Sequence, residues 1–340
     1  MPLYVSESFF EKRALLTDSE NRAQALFFQF PFRPNLGEIY AGRVTEKIAK
    51  LNAFFVDLGS GKSGYLSIKE NLTIGAFVVV EVIKEPRADK LANLKLLEKK
   101  CPEKIKTPEL LAAAVLENRI LKELAEKKQS DILIPDSFPE DVFDEALEQA
   151  LSPCVSFSCG ARVHFDKMHA CVGIDVDSGQ SLDRIENLNA AAVPVIARQI
   201  RLANDAGNFI VDFIGSKKEV FMKPLLTQLK TALLKEGIET GPINLSPLGL
   251  VEFVRKRQAA PVSSMLSGAQ WDILSLFRSM NRLQKRGGRL KRIEVSETVF
   301  ALLNSMFLKY YQKVAASFAE PIALSVRKEE KFPPFELVER

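Results

Sequence analysis

Three aspartates in one stretch, Cys171 to Ile214, have the type and spacing to do chemistry. The stretch opens CVGIDVDSG, with Asp175 and Asp177, and closes GNFIVDFIG, with Asp212. Each end reads as a short apolar strand that runs into carboxylates. Carboxylate oxygens are hard ligands, and Mg²⁺ needs few of them from a protein because it keeps several waters. A cation held this way can orient a water and stabilise the charge of a phosphoryl transition state. Aspartates at strand ends also cap helices and turn loops, and residue type alone leaves both roles open.

Between the two strands lies an Ala-rich segment, Asp183 to Ala206, with a helical rhythm in Ile185, Leu188, Ala192, Val195 and Ile196. Strand, helix, strand is a crossover unit. It predicts two parallel strands, most simply side by side, with the helix on one face. Neighbouring strands sit roughly 4.8 Å apart, so carboxylates at matching strand ends could share one divalent cation. The crevice outside the carboxyl ends of such strands is where open α/β sheets place ligands. Pro194 falls inside the helical segment and predicts a kink there or a later true start.

The 340 residues are 46% hydrophobic and 26% charged, enough to bury more than one core. No apolar run approaches the roughly 20 residues that span a bilayer. The opening MPLYVSESFFEKR does not read as a signal peptide, and a cytoplasmic setting is expected. Cys101, Cys154, Cys159 and Cys171 form no CxxC pair, and His164 and His169 have no partner at ligand spacing, so no zinc site is expected. Neither histidine sits in a Ser- or Cys-based catalytic arrangement. From Ile273 to Ile293 there is no acid but there are seven bases, and Arg255, Lys256 and Arg257 make a second cluster. Such clusters fit a polyanionic partner, or equally a solvated helix face and a basic loop.

The chain opens with three strand-like segments over residues 3–34. Residues 35–97 then read as five short strands, which suggests a small oligonucleotide-binding barrel. Alternation puts Phe54, Val56, Leu58, Leu66 and Ile68 inside and Phe55 and Tyr65 outside. Two outward aromatics are candidate platforms for base stacking, or packing surfaces for another domain. Arg43, Lys84, Arg87 and Lys90 could follow phosphates. Gly59-Ser-Gly-Lys-Ser63 lacks the glycine spacing of a P-loop and leads into a strand, so it is rejected. Thr107 and Pro108 predict a helix start, with the helix running over 108–128. A strand at Asp131 to Ile134 and a helix at Pro139 to Leu151 follow, then a strand pair turning at Cys159-Gly160, and later a helix at Val220 to Lys235. Residues 259–267 read as a linker. Beyond it come a helix at Trp271 to Leu283, a strand in KRIEVS, one long helix from Glu297 to Ser317, and strands in PIALSVRK and FELVE.

At this point the residues resemble the ribonuclease E/G family of endoribonucleases in a short form. GEIYAGRVTEKIAKLNAFFVDLGSGKSGYLSI looks like the family's inserted S1 domain. GIDVDSG, IARQIRL, GNFIVDFI and SPLGLVEFVRKR resemble successive catalytic motifs in the family's order. The resemblance implies a multi-subdomain α/β fold. An RNase H-like subdomain (1–34 and 98–168) is split by an S1, OB-fold barrel (35–97). A DNase I-like catalytic subdomain (169–258) and a small C-terminal α+β domain (259–340) follow. It implies Mg²⁺, with Mn²⁺ as a substitute, held by Asp175 and Asp212. Asp177 takes the place of an asparagine thought to orient the scissile phosphate. Phe55, Tyr65 and Lys90 match RNA contacts of the S1 domain, and Arg255 matches a basic position after the GLVE motif. The activity implied is cleavage of single-stranded RNA to 5′-phosphate and 3′-hydroxyl ends, with a non-catalytic RNA-binding protein of ribosome or RNA assembly as the alternative. No Arg-Thr pair stands between the barrel and Pro108, so sensing of the RNA 5′ end is expected to be absent or reduced. No CPxCxG follows Gln258, so any homodimer is expected to lack a zinc link.

Overall fold

The structure, a computed structural model, describes every residue except 88–89, 103, 127–131, 158–159, 216–218, 258, 328–332 and 340. The chain divides into two units, Met1–Met265 and Leu266–Arg340.

The first unit opens on an antiparallel sheet of β1 (Leu3–Glu7), β2 (Lys12–Thr17) and β3 (Ala23–Gln29). Leu3, Ala14, Leu16 and Ala25 share a core with Leu116, Ile120 and Leu124 of α1 (Leu116–Glu126). Those helical residues recur every four positions, the spacing of one buried stripe. Helix α2 (Glu140–Leu151) sets Phe143 against Phe28 at 5.9 Å. Of the strand expected at Asp131 to Ile134, Asp131 lies outside the described residues, while Leu133 bridges to Pro2.

In chain order the barrel comes between β3 and α1. Its strands are β4 (Ile39–Ile48), β5 (Ala53–Gly59), β6 (Lys62–Ser67), β7 (Phe77–Lys84) and β8 (Ala92–Glu98). The order β5-β6-β8-β7-β4 closes through a β4–β5 pairing, and β6–β8 is its parallel pair. This is consistent with an S1/OB-like barrel. Phe54, Val56, Leu58 and Leu66 fill it. The helix expected from Pro108 is corrected: Glu109–Ala112 is a strand, β9, antiparallel to β4 over Ile39–Ala41. β5 pairs with β4 only from Arg43 onward. The earlier edge of β4 therefore offers backbone groups that the Glu109–Ala112 segment satisfies, and tertiary pairing overrides the helical propensity of its Leu and Ala.

The central sheet has the order β10-β11-β12-β13-β15-β14. Its strands are β10 (Cys154–Phe157), β11 (Ala161–Lys167), β12 (Val172–Asp177), β13 (Gly207–Asp212), β14 (Asn244–Leu245) and β15 (Val251–Arg255). Of the hairpin expected at Cys159-Gly160, Cys159 lies outside the described residues. Among the described pairings of this sheet, β12–β13 is parallel and the others antiparallel. Helix α3 (Ile185–Leu202) makes the crossover, and α4 (Glu219–Lys235) follows β13. Val163, Ile174, Val176, Phe209 and Val211 pack with Ala192, Ile196, Ile200, Leu225 and Leu229, so the helices cover one face. Helix α3 starts ahead of Pro194, which stays exposed on its outer side. There water can take the carbonyl that the missing N–H leaves.

The stretch expected as a linker is packed instead. Ala260, Val262 and Met265 are buried, and Val262–Met265 forms the short helix α5. Gln258, just before it, lies outside the described residues.

The second unit places β16 (Leu290–Ser296) between β17 (Ala323–Arg327), parallel to it, and β18 (Phe335–Glu339), antiparallel. Lys328, the last residue of the expected PIALSVRK strand, lies outside the described residues. Helix α6 (Gly268–Lys285) starts on a reciprocal capping box between Ser267 and Gln270. The single long helix expected from Glu297 is two, α7 (Glu297–Ser305) and α8 (Leu308–Ala315). The Ser305 hydroxyl donates back to the Ala301 and Leu302 carbonyls, a competitor that weakens a helix end. Buried Phe307 packs against Phe277 and Tyr310 at the break. Among the described residues no helix is long and apolar enough to cross a membrane.

Candidate catalytic face of the central sheet

Strand β12 alternates: Val172, Ile174 and Val176 are buried, while Asp175 and Asp177 are exposed. Side chains two apart share a face, so both aspartates point away from α3. The parallel register sets Asp175 directly beside Asp212. The expectation of two carboxylates at matching strand positions is met by the geometry. On the other side of β12, His164 pairs with Asp175 and Arg162 with Asp177. Asp175, Asp177 and Asp212 border an open cleft of about 350 Å³ with Ser178 and Gly215.

Local interactions fix this face. The Asp177 carboxylate accepts from the Gly179 N–H at 3.0 Å. Gly179 has φ +52°, and a Cβ there would lie 2.3 Å from the Gly160 carbonyl oxygen. Only glycine lets the turn after Asp177 approach the start of β11 so closely. Asn189 of α3, 7% exposed, both accepts from the Ile214 N–H at 3.0 Å and donates to the Ile214 carbonyl at 2.9 Å. That amide pair ties the backbone just past Asp212 to the crossover helix. Neither Asn189 nor Arg162 stood out in the sequence, because their importance comes from register and from a contact 25 residues away.

Among the described residues no group of three or more His, Cys, Asp and Glu is gathered for a metal ion. What the face offers is a pair of hard oxygen donors on neighbouring strands, Asp175 exposed and Asp212 half-buried. Such a set suits a cation that binds few protein ligands and keeps its hydration.

Arg255 is elsewhere. It pairs with Gly207, at the end of β13 opposite Asp212. Its guanidinium donates to the Ile200 carbonyl at 3.2 Å, the Asp205 carbonyl at 2.6 Å and the Asn204 side chain at 3.1 Å. Burial, with the nearby Arg201 charge, pushes it down to about 10, so it is still cationic at neutral pH. The structure commits Arg255 to the C-terminal end of α3, where backbone carbonyls favour a cation. Buried Asp205 stands beside it, paired with Lys167 at 3.1 Å.

On the barrel, Phe55 and Tyr65 face each other across β5 and β6, with ring centroids 6.3 Å apart. Both are half-buried on the outer surface, as alternation predicts. The same cross-strand row continues through Asn93 to Lys84. Lys90 is exposed, in an isolated bridge with Arg87. The residue after Lys84 points the other way. Glu85, 2% exposed, accepts from Arg119 at 3.1 Å, the Leu36 N–H at 3.3 Å and the Ala260 N–H at 3.2 Å, with Arg33 at 3.8 Å.

A barrel consistent with the S1/OB type, bearing outward aromatics, shares the first unit with an α/β sheet bearing paired carboxylates. Residues 88–258 match the Ribonuclease E/G family, and the chain belongs to that family. It is 34% identical over 134 residues to Ribonuclease G of Salmonella typhimurium (strain SL1344), covering 37% of this chain and 27% of that protein. It is 28% identical over 171 residues to a Ribonuclease E/G-like protein of Pyropia yezoensis, covering 48% and 33%. Ribonuclease E of a Nostoc species is 34% identical over 119 residues, 33% of this chain and 17% of that protein. The alignments thus span a third or less of each relative's length.

Proposed function

We propose that this chain is a Mg²⁺-dependent endoribonuclease that cuts single-stranded RNA to 5′-phosphate and 3′-hydroxyl ends. The observation that carries the reading is the Asp175–Asp212 pair at one register of a parallel strand pair, Asp175 exposed and Asp212 half-buried, on the sheet face that the helices leave free. The family match, which includes both residues, and the names of the relatives support it.

Asp175 and Asp212 would hold the cation, and Mn²⁺ would substitute. When bound, it would lower the pKa of a water and draw negative charge from the scissile phosphate. The chain's own residues do the positioning. Asn189 fixes the backbone after Asp212, and Gly179 holds Asp177 in its turn. Phe55 and Tyr65 stack bases, and Lys84 and Lys90 meet phosphates. Stacking selects unpaired RNA, because a paired base does not offer its face.

The test is cleavage of an end-labelled, A/U-rich single-stranded RNA with Mg²⁺ and with EDTA, beside Asp212→Asn. Internal cuts that require Mg²⁺ and vanish in the variant are expected. Tight binding without cuts under any divalent ion would make the chain an RNA-binding protein instead.

A further inference from the structure

Asp177 adds a third carboxylate to the face where the resemblance expects a neutral asparagine. Three carboxylates on two adjacent strands repel a phosphodiester, and a cation at the same position would offset that. The sheet supplies one. Arg162 is the register partner of Asp177 on β11, on the same open face. It is exposed while its neighbours Ala161 and Val163 are buried. Among the described residues its guanidinium enters no hydrogen bond or ion pair, in contrast to Arg13, Arg119, Arg201 and Arg255. The close approach of Gly160 to Gly179 pins the two turns beside this pair, so Arg162 and Asp177 are held together from both strands.

We infer that Arg162 is a substrate-positioning residue: it balances the charge of Asp177 and offers its fork to an RNA phosphate at the carboxylate face. Arginine suits the role because its planar donors match two phosphate oxygens at once. The inference rests on the reading of this face as the RNA-cleaving site, and its test separates the two.

Arg162→Met, Arg162→Lys, Asp177→Asn and the double variant Arg162→Met/Asp177→Asn are compared for binding of a labelled single-stranded RNA in EDTA across a salt series. In EDTA the face carries its full negative charge, so loss of the cation is felt most. Arg162→Met should bind about tenfold more weakly, with the slope of log affinity against log salt reduced by about 0.7. Arg162→Lys should retain most of the affinity, and Asp177→Asn should restore much of it in the Met background. A structural role alone would move the melting temperature, recorded for each variant, and leave the salt slope in place. Unchanged affinity and slope in Arg162→Met overturn the inference. So does an Asp177→Asn effect of equal size in both backgrounds, which would show no coupling. If the wild-type chain makes no Mg²⁺-dependent cuts, the nuclease reading fails while the binding series still judges Arg162.

Discussion

Asp175 of β12 stands directly beside Asp212 of β13, two like charges at one register of a parallel strand pair. Like charges opposite each other destabilise a sheet by a few tenths of a kcal/mol to about 1 kcal/mol. Asp175→Asn should therefore unfold at an equal or slightly higher temperature than the wild type. Millimolar Mg²⁺ should raise the wild-type melting temperature, since a ligand of the folded state stabilises it, and leave the variant unmoved. Differential scanning fluorimetry with and without Mg²⁺ decides this. An equal Mg²⁺ shift in both proteins would remove Asp175 from the cation site.

Phe55 and Tyr65 form the half-buried, outward-facing aromatic pair of the barrel. Stacking is worth roughly 1–3 kcal/mol per base, so either alanine variant should weaken single-stranded RNA binding by about five- to 150-fold. The cleavage rate at saturating RNA should hold. Fluorescence anisotropy and single-turnover cleavage report the two effects separately.

Glu85 accepts from Arg119, from two backbone N–H groups, and faces Arg33. Its removal leaves half-buried Arg119 and two backbone N–H groups without this acceptor, while Arg33 keeps the Met265 and Pro86 carbonyls, a change that costs about 1–3 kcal/mol. Glu85→Ala should lower the urea midpoint by that amount, and Glu85→Gln by less, because the amide oxygen still accepts. Equal midpoints in Glu85→Ala and wild type would show that the cluster contributes nothing.

Burial holds the Asp205 carboxyl above its ordinary range, against the pull of Lys167 and Arg255. An unfolded aspartate titrates near 3.9. Between that value and the raised one, the folded state binds more protons than the unfolded state, so stability falls as pH rises through the window. Asp205→Asn removes this slope. Urea midpoints measured from about pH 3.5 to 7 should shift progressively in favour of the variant as pH rises. A constant offset across that range would contradict the assignment.

Asn189 joins α3 to the Ile214 backbone through two hydrogen bonds. Asn189→Ala leaves buried backbone groups unpaired, at a cost of about 1–3 kcal/mol. It should also lower the cleavage rate more than RNA affinity, because the displaced segment carries Asp212 and not the barrel. Amide hydrogen exchange at residues 212–215 should quicken in the variant.

The parallel pair and its crossover helix were legible because two short apolar strands flank a helical apolar rhythm that persists across Pro194, and chain connectivity then leaves few arrangements. The barrel was legible for a similar reason: Phe54 and Phe55 sort to opposite faces by period alone. Strand β9 was not, since Glu109–Ala112 has helical residue types and takes its conformation from the free edge of β4. For Arg255 the local sequence shows its charge but not the carbonyls 50 and 55 residues away that its guanidinium meets. Arg162 and Glu85 escaped notice for the same cause. Their roles are set by pairings between distant segments, and no local pattern encodes those.

Glu85 follows Lys84 directly, and the two side chains face opposite ways: one toward the aromatic row, the other into the buried cluster with Arg33, Arg119 and the Ala260 backbone. The barrel's aromatic row is therefore indexed to the rest of the first unit by a single residue step. On the reading proposed above, the RNA is held at one station and cut at another whose separation the protein sets. Such a molecule acts as a ruler. Its cuts on a uniform strand would fall a constant number of nucleotides from the held bases, and loosening the Glu85 cluster would blur that spacing before it abolished cutting.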